Sequence, residues 1–291
     1  MNEFEQALEV TTESLRKLSE NGSNIRGSRE ALRRLAAAKP KEAPAASAAQ
    51  SGPKPLAKPP AKREQAIPTP QPAKPASAEV FQTTGATRQE KMEQIRAAVA
   101  PCTKCPQLAR TRTQTVFGVG NIDAEIMFVG EAPGADEDLQ GEPFVGKAGQ
   151  LLTKIIETMR LKRSDVFIAN VLKCRPDMPP GSTGNRRPTV AEMQTCLPYL
   201  RAQIEAIRPK VLVALGSVAM EGLLGAVEPM ARLRGRWHEF QGIPLMATYH
   251  PAYLLRNQSL GEKRKVWEDM LLVMDRVGLP INEKQRGYFL K

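Results

Sequence analysis

Four cysteines and one acidic, glycine-rich loop carry most of the chemistry legible in this chain of 291 residues. Cys102 and Cys105 form a C-x-x-C turn in PCTKCP, Cys174 follows an apolar run, and Cys196 lies beyond the stretch RPDMPPGSTGNRRP. Two thiolates from a tight turn and two from distant segments can close a four-sulfur cage. Such a cage suits zinc or a [4Fe–4S] cluster, and spacing does not choose between them. The competing assignment makes Cys174 and Cys196 ordinary buried cysteines. The loop is GEAPGADEDLQGEPFVGKAGQLL at 130–152, which opens with Gly130 and Glu131 directly after EIMFV. Carboxylates so placed can serve as acid, base or electrostatic partner, while glycines let backbone approach a ligand. Gly141 to Lys147 also reads G-x-x-x-x-G-K. A phosphate-binding loop would need a hydroxyl next, where Ala148 stands, and would follow its strand directly. Close backbone approach, or a helix start facing a phosphate, explains Gly146 and Gly149 better.

The elements that must position these residues are read from periodicity. Strands are expected at 125–130, 165–172, 210–216 and 243–249, and helices at 89–100, 146–160, 189–207, 217–224 and 263–277. Apolar strands alternating with helices predict an α/β fold with a mainly parallel four-stranded sheet between two helical layers. Ligands in such folds bind beyond the carboxyl ends of the strands. The acidic loop, Asn170 and His250 all fall there.

Residues 1–38 are expected to be helical. Phe4, Leu8, Leu15 and Leu18 share a face that could bind a protein partner, or the segment is a marginal helix on a tether. Residues 39–87, rich in Ala, Pro and Lys, are expected to be a disordered linker, leaving 88–291 as the folded domain. The net charge of +11 points to a polyanionic partner such as nucleic acid. Of this, +7 belongs to residues 88–291, so the charge is not merely a basic tail. The chain contains no apolar run approaching the roughly 18 residues of a membrane span, and its acidic start is unlike a signal peptide. A cytosolic location is expected, where cysteines favour metal or redox chemistry over disulfides.

Taken together, GEAPGADED, PFVGKAGQLL, NVLKCRP and TYHPAYLLR resemble the family 4, iron–sulfur uracil-DNA glycosylases over residues from about 90 to 291. The resemblance implies the glycosylase-superfamily three-layer α/β/α fold. It also implies a [4Fe–4S] cluster on Cys102, Cys105, Cys174 and Cys196, bracing loops that meet DNA. The implied reaction flips uracil out of single- or double-stranded DNA and hydrolyses its N-glycosidic bond, leaving an abasic site and starting base excision repair. Glu131 would then lie beside the sugar, and Glu137 near the base and water. Phe144 would stack on uracil, against backbone from Gly130 and Ala132. Asn170 would read the edge of the base, and His250 would donate to the departing uracil. Arg234, Arg256 and Lys263 would contact DNA phosphates. His238 is expected to be structural, and Asp136 and Asp138 solvated. A monomer is implied.

Two departures bear on mechanism. The usual place of an activating aspartate is held by GEAPG, which leaves the carboxylate that activates water unassigned. The RPDMPPGSTGNRRP loop contains no histidine, the residue through which some relatives trap the sugar covalently, so turnover is expected. No lysine is placed to form an imine, so strand cleavage is not expected. The alternative from another class is a non-catalytic iron–sulfur or zinc protein that binds nucleic acid.

Overall fold

The computed structural model describes residues 81–178, 182 and 184–290. The helical segment expected over residues 1–38, and the expected linker up to residue 80, lie outside the described residues. Residues 81–87, read as linker, are seated on the domain instead. The Phe81 ring lies 5.5 Å from that of Tyr199, and Gln94 Oε1 accepts from the backbone N–H groups of Thr84 and Gly85. An aromatic ring that can bury, followed by a helix cap at Thr87, is enough to end the linker early.

The strands are β1 (Val119–Gly120), β2 (Ile126–Gly130), β3 (Phe167–Asn170), β4 (Val211–Leu215), β5 (Trp237–Phe240) and β6 (Ile243–Thr248). They form one sheet in the order β1-β3-β2-β4-β6-β5. The central four, β3-β2-β4-β6, are parallel and correspond to the four expected strands. The sheet nonetheless has six strands, because β1 and β5 add antiparallel edges. Two residues ending in glycine, and the mixed WHEF, carry no apolar run by which an edge strand could be read.

Helices α1 (Arg88–Val99), α2 (Pro106–Thr111), α3 (Ala135–Gln140) and α4 (Lys147–Thr158) precede β4 with α5 (Val190–Ile207). Helices α6 (Ser217–Leu224), α7 (Met230–Leu233), α8 (Pro251–Arg256), α9 (Leu260–Arg276) and α10 (Glu283–Arg286) follow. Alternation along the strands divides the core. Met127 and Val129 of β2 pack with Ile95, Leu200, Ile204 and Met220 from α1, α5 and α6. Ile126 and Phe128 pack with Leu152, Ile156, Met270 and Val273 from α4 and α9. A sheet covered on both faces must be apolar on both, which is why β2 and β4 are buried at every position. No helix among the described residues is long and apolar enough to cross a membrane.

Helix α4 comes up hard against the loop before it. A Cβ at Gly149 would overlap the Phe144 carbonyl and lie 2.6 Å from its Cα. Gly261, in the first turn of α9, has nothing within 4 Å of such an atom. Gly149→Ala should therefore destabilise the domain by about 3 kcal/mol, and Gly261→Ala should be neutral or stabilise by roughly 0.5 kcal/mol, read by thermal unfolding.

Candidate active site

The parallel register sets Gly130, the last residue of β2, opposite Asn170, the last of β3. Val171 and Leu172 then donate their backbone N–H groups to the carbonyls of Gly130 and Glu131, so the two strand ends leave the sheet together. At Gly130 there is no room for a side chain. A Cβ would lie 2.5 Å from Phe144 Cζ and closer still to Asn170 Oδ1. Asn170 is buried, and its Oδ1 meets no hydrogen-bond donor among the described residues. A buried amide oxygen left without a donor costs about 1–3 kcal/mol.

Phe144 is buried with φ of 56°, a left-handed conformation that a bulky residue adopts only when its surroundings impose it. Glu137 does so. Its Oε2 accepts from the Gly134 N–H at 3.0 Å, and its Oε1 from Val145 and Gly146 at 3.0 and 3.1 Å. The carboxylate thus clasps the start of α3 to the turn that carries Phe144. Glu137 is placed as a latch on the backbone. Asp138, expected to be solvated, is buried and accepts the Thr113 N–H with both oxygens, because a charge pulled from water must find donors. Asp136 is exposed, as expected.

Glu131, Ala132 and His250 line a cleft of about 600 Å³, together with Arg187, Tyr249 and Arg256. Burial raises the Glu131 carboxyl above its ordinary pKa, and the charge of Arg187 opposes the rise. His250 caps α8, its Nδ1 accepting the Ala252 N–H at 3.1 Å. That bond makes Nδ1 the acceptor and leaves the proton of the neutral ring on Nε2. Burial, followed by the charge of Arg256, lowers its pKa to about 4 despite Glu137, so the ring is neutral at pH 7. Its plane lies 33° from that of Phe144, with centroids 5.6 Å apart.

The basic residues divide. Arg256 is exposed at the cleft. Lys263 lies away from the cleft, on a separate groove with Leu151, Ile155, Trp267 and Phe289. Arg234, expected at a DNA phosphate, has its guanidinium bound to buried Asp269 at 2.8 and 3.1 Å. An arginine held by both oxygens of a buried carboxylate is committed to the fold. His238, through Nε2, meets the Leu233 carbonyl at 2.8 Å, a structural bond as expected. Sequence reasoning missed Arg187 and the tyrosines. The NRR run after the glycine-rich stretch was the signal for the first; for Tyr249 and Tyr253, it was their place on either side of His250.

The cysteines face inward between α1, α2 and α5, packed against the same apolar cluster. Burial pushes the thiols of Cys105 and Cys174 up and that of Cys196 to about 12, and neighbouring cysteines add to the rise in each case. Donors are aimed at the sulfurs. Arg112 Nη1 donates to Cys174 Sγ at 2.9 Å, Lys173 N to Cys196 Sγ at 3.2 Å, and the Tyr199 hydroxyl to Cys102 Sγ at 3.5 Å. No group of three or more His, Cys, Asp or Glu among the described residues is arranged to hold a single metal ion.

Residues 117–271 match the model of the uracil DNA glycosylase superfamily. The chain is 45% identical over 186 residues to a type-4 uracil-DNA glycosylase of Thermotoga maritima, covering 63% of this chain and 93% of that one. It is 44% identical over 182 residues to the type-4 enzyme of Archaeoglobus fulgidus, covering 60% and 88%. A type-5 uracil-DNA glycosylase of Pyrobaculum aerophilum is 30% identical over 186 residues, covering 53% and 79%. Family match, relatives and fold agree: the chain belongs to the uracil-DNA glycosylase superfamily and is most similar, among these, to its type-4 members.

Proposed function

We infer that the protein is a uracil-DNA glycosylase, a hydrolase that releases uracil from DNA and leaves an abasic site for base excision repair. The observation that carries the reading is the donor-less Oδ1 of buried Asn170, set against Gly130 and Phe144 in a chain of this family. Uracil offers an N3–H donor beside its O4 acceptor, which an asparagine amide can match with one acceptor and one donor. Cytosine presents an acceptor at N3 and a donor at N4, and leaves a fixed amide mismatched. Phe144 supplies a face on which the ring stacks, and the missing side chain at Gly130 lets the base approach the strand ends.

Breaking the glycosidic bond develops positive charge on the sugar and negative charge on uracil. Glu131 is the carboxylate we assign to the sugar, since Glu137 spends both oxygens on backbone N–H groups. Neutral His250, with its proton on Nε2, donates to uracil O2 as charge grows there. Arg256 meets a phosphate of the flipped strand. Both single- and double-stranded DNA present these groups once the base has left the stack.

Cys102, Cys105, Cys174 and Cys196 are the residues that would hold a [4Fe–4S] cluster. Two buried and two half-buried thiols, with hydrogen-bond donors aimed at three of the four, fit such a group. Bound there, the cluster would brace the fold by cross-linking three segments: the C-x-x-C turn, the stretch after β3, and α5.

Uracil release from a single-stranded oligonucleotide with one dU, read as alkali-dependent scission, tests the reading. Glu131→Ala should lower kcat by about 10²–10³, as loss of one preorganised charge does. Equal release by parent and variant would remove Glu131 from the reaction. The lowered pKa of His250 sets a pH dependence. Between 6.5 and about 4 the unfolded chain binds a proton that the folded one does not, so stability contributed by neutral His250 is complete above 6.5 and is lost as pH falls toward 4. NMR titration of the two histidines should show one ring titrating near 4, with kcat/KM falling as pH drops through the same range.

A further inference from the structure

Tyr253, three residues beyond His250 on α8, stacks on Tyr249 with centroids 4.5 Å apart and planes 21° from parallel. The pair is braced. Arg234 Cζ stands 5.8 Å from the Tyr249 ring centroid, and that guanidinium is anchored on buried Asp269. The Glu262 carboxylate lies beside the Tyr253 hydroxyl and is itself paired with Lys265 at 2.7 Å. Both rings are half-buried, both line the same cleft as Glu131, His250 and Arg256, and neither belongs to the two apolar clusters of the core.

We propose that the Tyr249–Tyr253 pair is a second base-binding subsite, a platform on which the unpaired nucleobase next to the flipped uridine stacks. The proposal rests on the glycosylase reading. A rigid pair of rings at the rim of an aqueous cleft adds little to the core, yet it offers an aromatic face beside the place where uracil enters. Stacking is indifferent to sequence because every base has a π-face, and it is worth about 1–3 kcal/mol per base by alanine substitution. A neighbouring base in a duplex is already paired and stacked, whereas in a single strand it is free to lie on the platform. The subsite therefore selects single-stranded DNA, with Arg256 on the same helix to meet the adjoining phosphate.

The test compares two single-stranded oligonucleotides carrying one dU. One has natural bases on both sides; in the other the two flanking nucleotides are abasic spacers. The holoprotein should show kcat/KM about tenfold higher on the first, the size expected of one stacked base. Tyr253→Ala should lose that preference while matching the parent on the spacer substrate, and Tyr253→Phe, which keeps the stack without the hydroxyl, should retain it. With 2-aminopurine in a flanking position, binding to the parent should quench its fluorescence, and binding to Tyr253→Ala should not. Equal flank preference in parent and Tyr253→Ala would overturn the platform. So would an equal loss by Tyr253→Ala on both substrates, which would mark the ring as a prop for α8. Failure of the parent to release uracil from either substrate would overturn the glycosylase reading and this one with it.

Discussion

The close approach at Gly130 is the constraint on which the rest of the site depends. Strand β2 ends opposite the end of β3, and the absent side chain brings Asn170 and Phe144 to within contact of one backbone atom. Everything else is arranged so that this contact holds. Both strands are covered on both faces, which fixes their register, because a slip of one residue would exchange the two cores. Helix α4 packs through Gly149 against the Phe144 backbone, and the sheet's carboxyl edge brings His250 around to the Phe144 ring.

A basic protein with so acidic a loop at this edge presents an apparent contradiction, and hydrogen bonding resolves it. Glu137 and Asp138 are consumed by backbone N–H groups, three for the first and one for the second. They hold the loop in a conformation that glycine-poor sequence would not choose, including the left-handed Phe144. Glu131, Asp136 and Glu142 are left to face water or substrate. Of these, Glu131 is the one at the cleft, where burial already raises the energy of its charged form. A developing sugar cation would lower that energy again, and this differential is the property a catalytic carboxylate needs.

Much of this was legible from the chain. The four parallel strands, the five long helices and the meeting of Glu131, Asn170 and His250 at one edge followed from apolar periodicity and from the family's motifs. What escaped was of two physical kinds. Short elements such as β1, β5 and α10 are stabilised by the neighbours they meet in space, and their own residues carry no pattern. Side-chain partners are equally silent. Arg234 sits in a basic run that looks made for phosphate, and only the fold reveals Asp269, from a distant helix, beneath it. Glu137 differs from Glu131 in nothing a sequence records; its role as a latch follows from where Val145 and Gly146 happen to point their N–H groups.

If the amide of Asn170 reads the base, exchanging it for a carboxyl must change which base is released. The measurement is release of uracil and of cytosine by parent and Asn170→Asp from otherwise identical single-stranded oligonucleotides. For the variant, kcat/KM for uracil should fall at least about 100-fold while release of cytosine becomes detectable, since a protonated aspartyl group accepts from the cytosine N4 amine and donates to N3. Unchanged preference for uracil, with folding intact, would contradict the account and move base recognition away from the paired ends of β2 and β3.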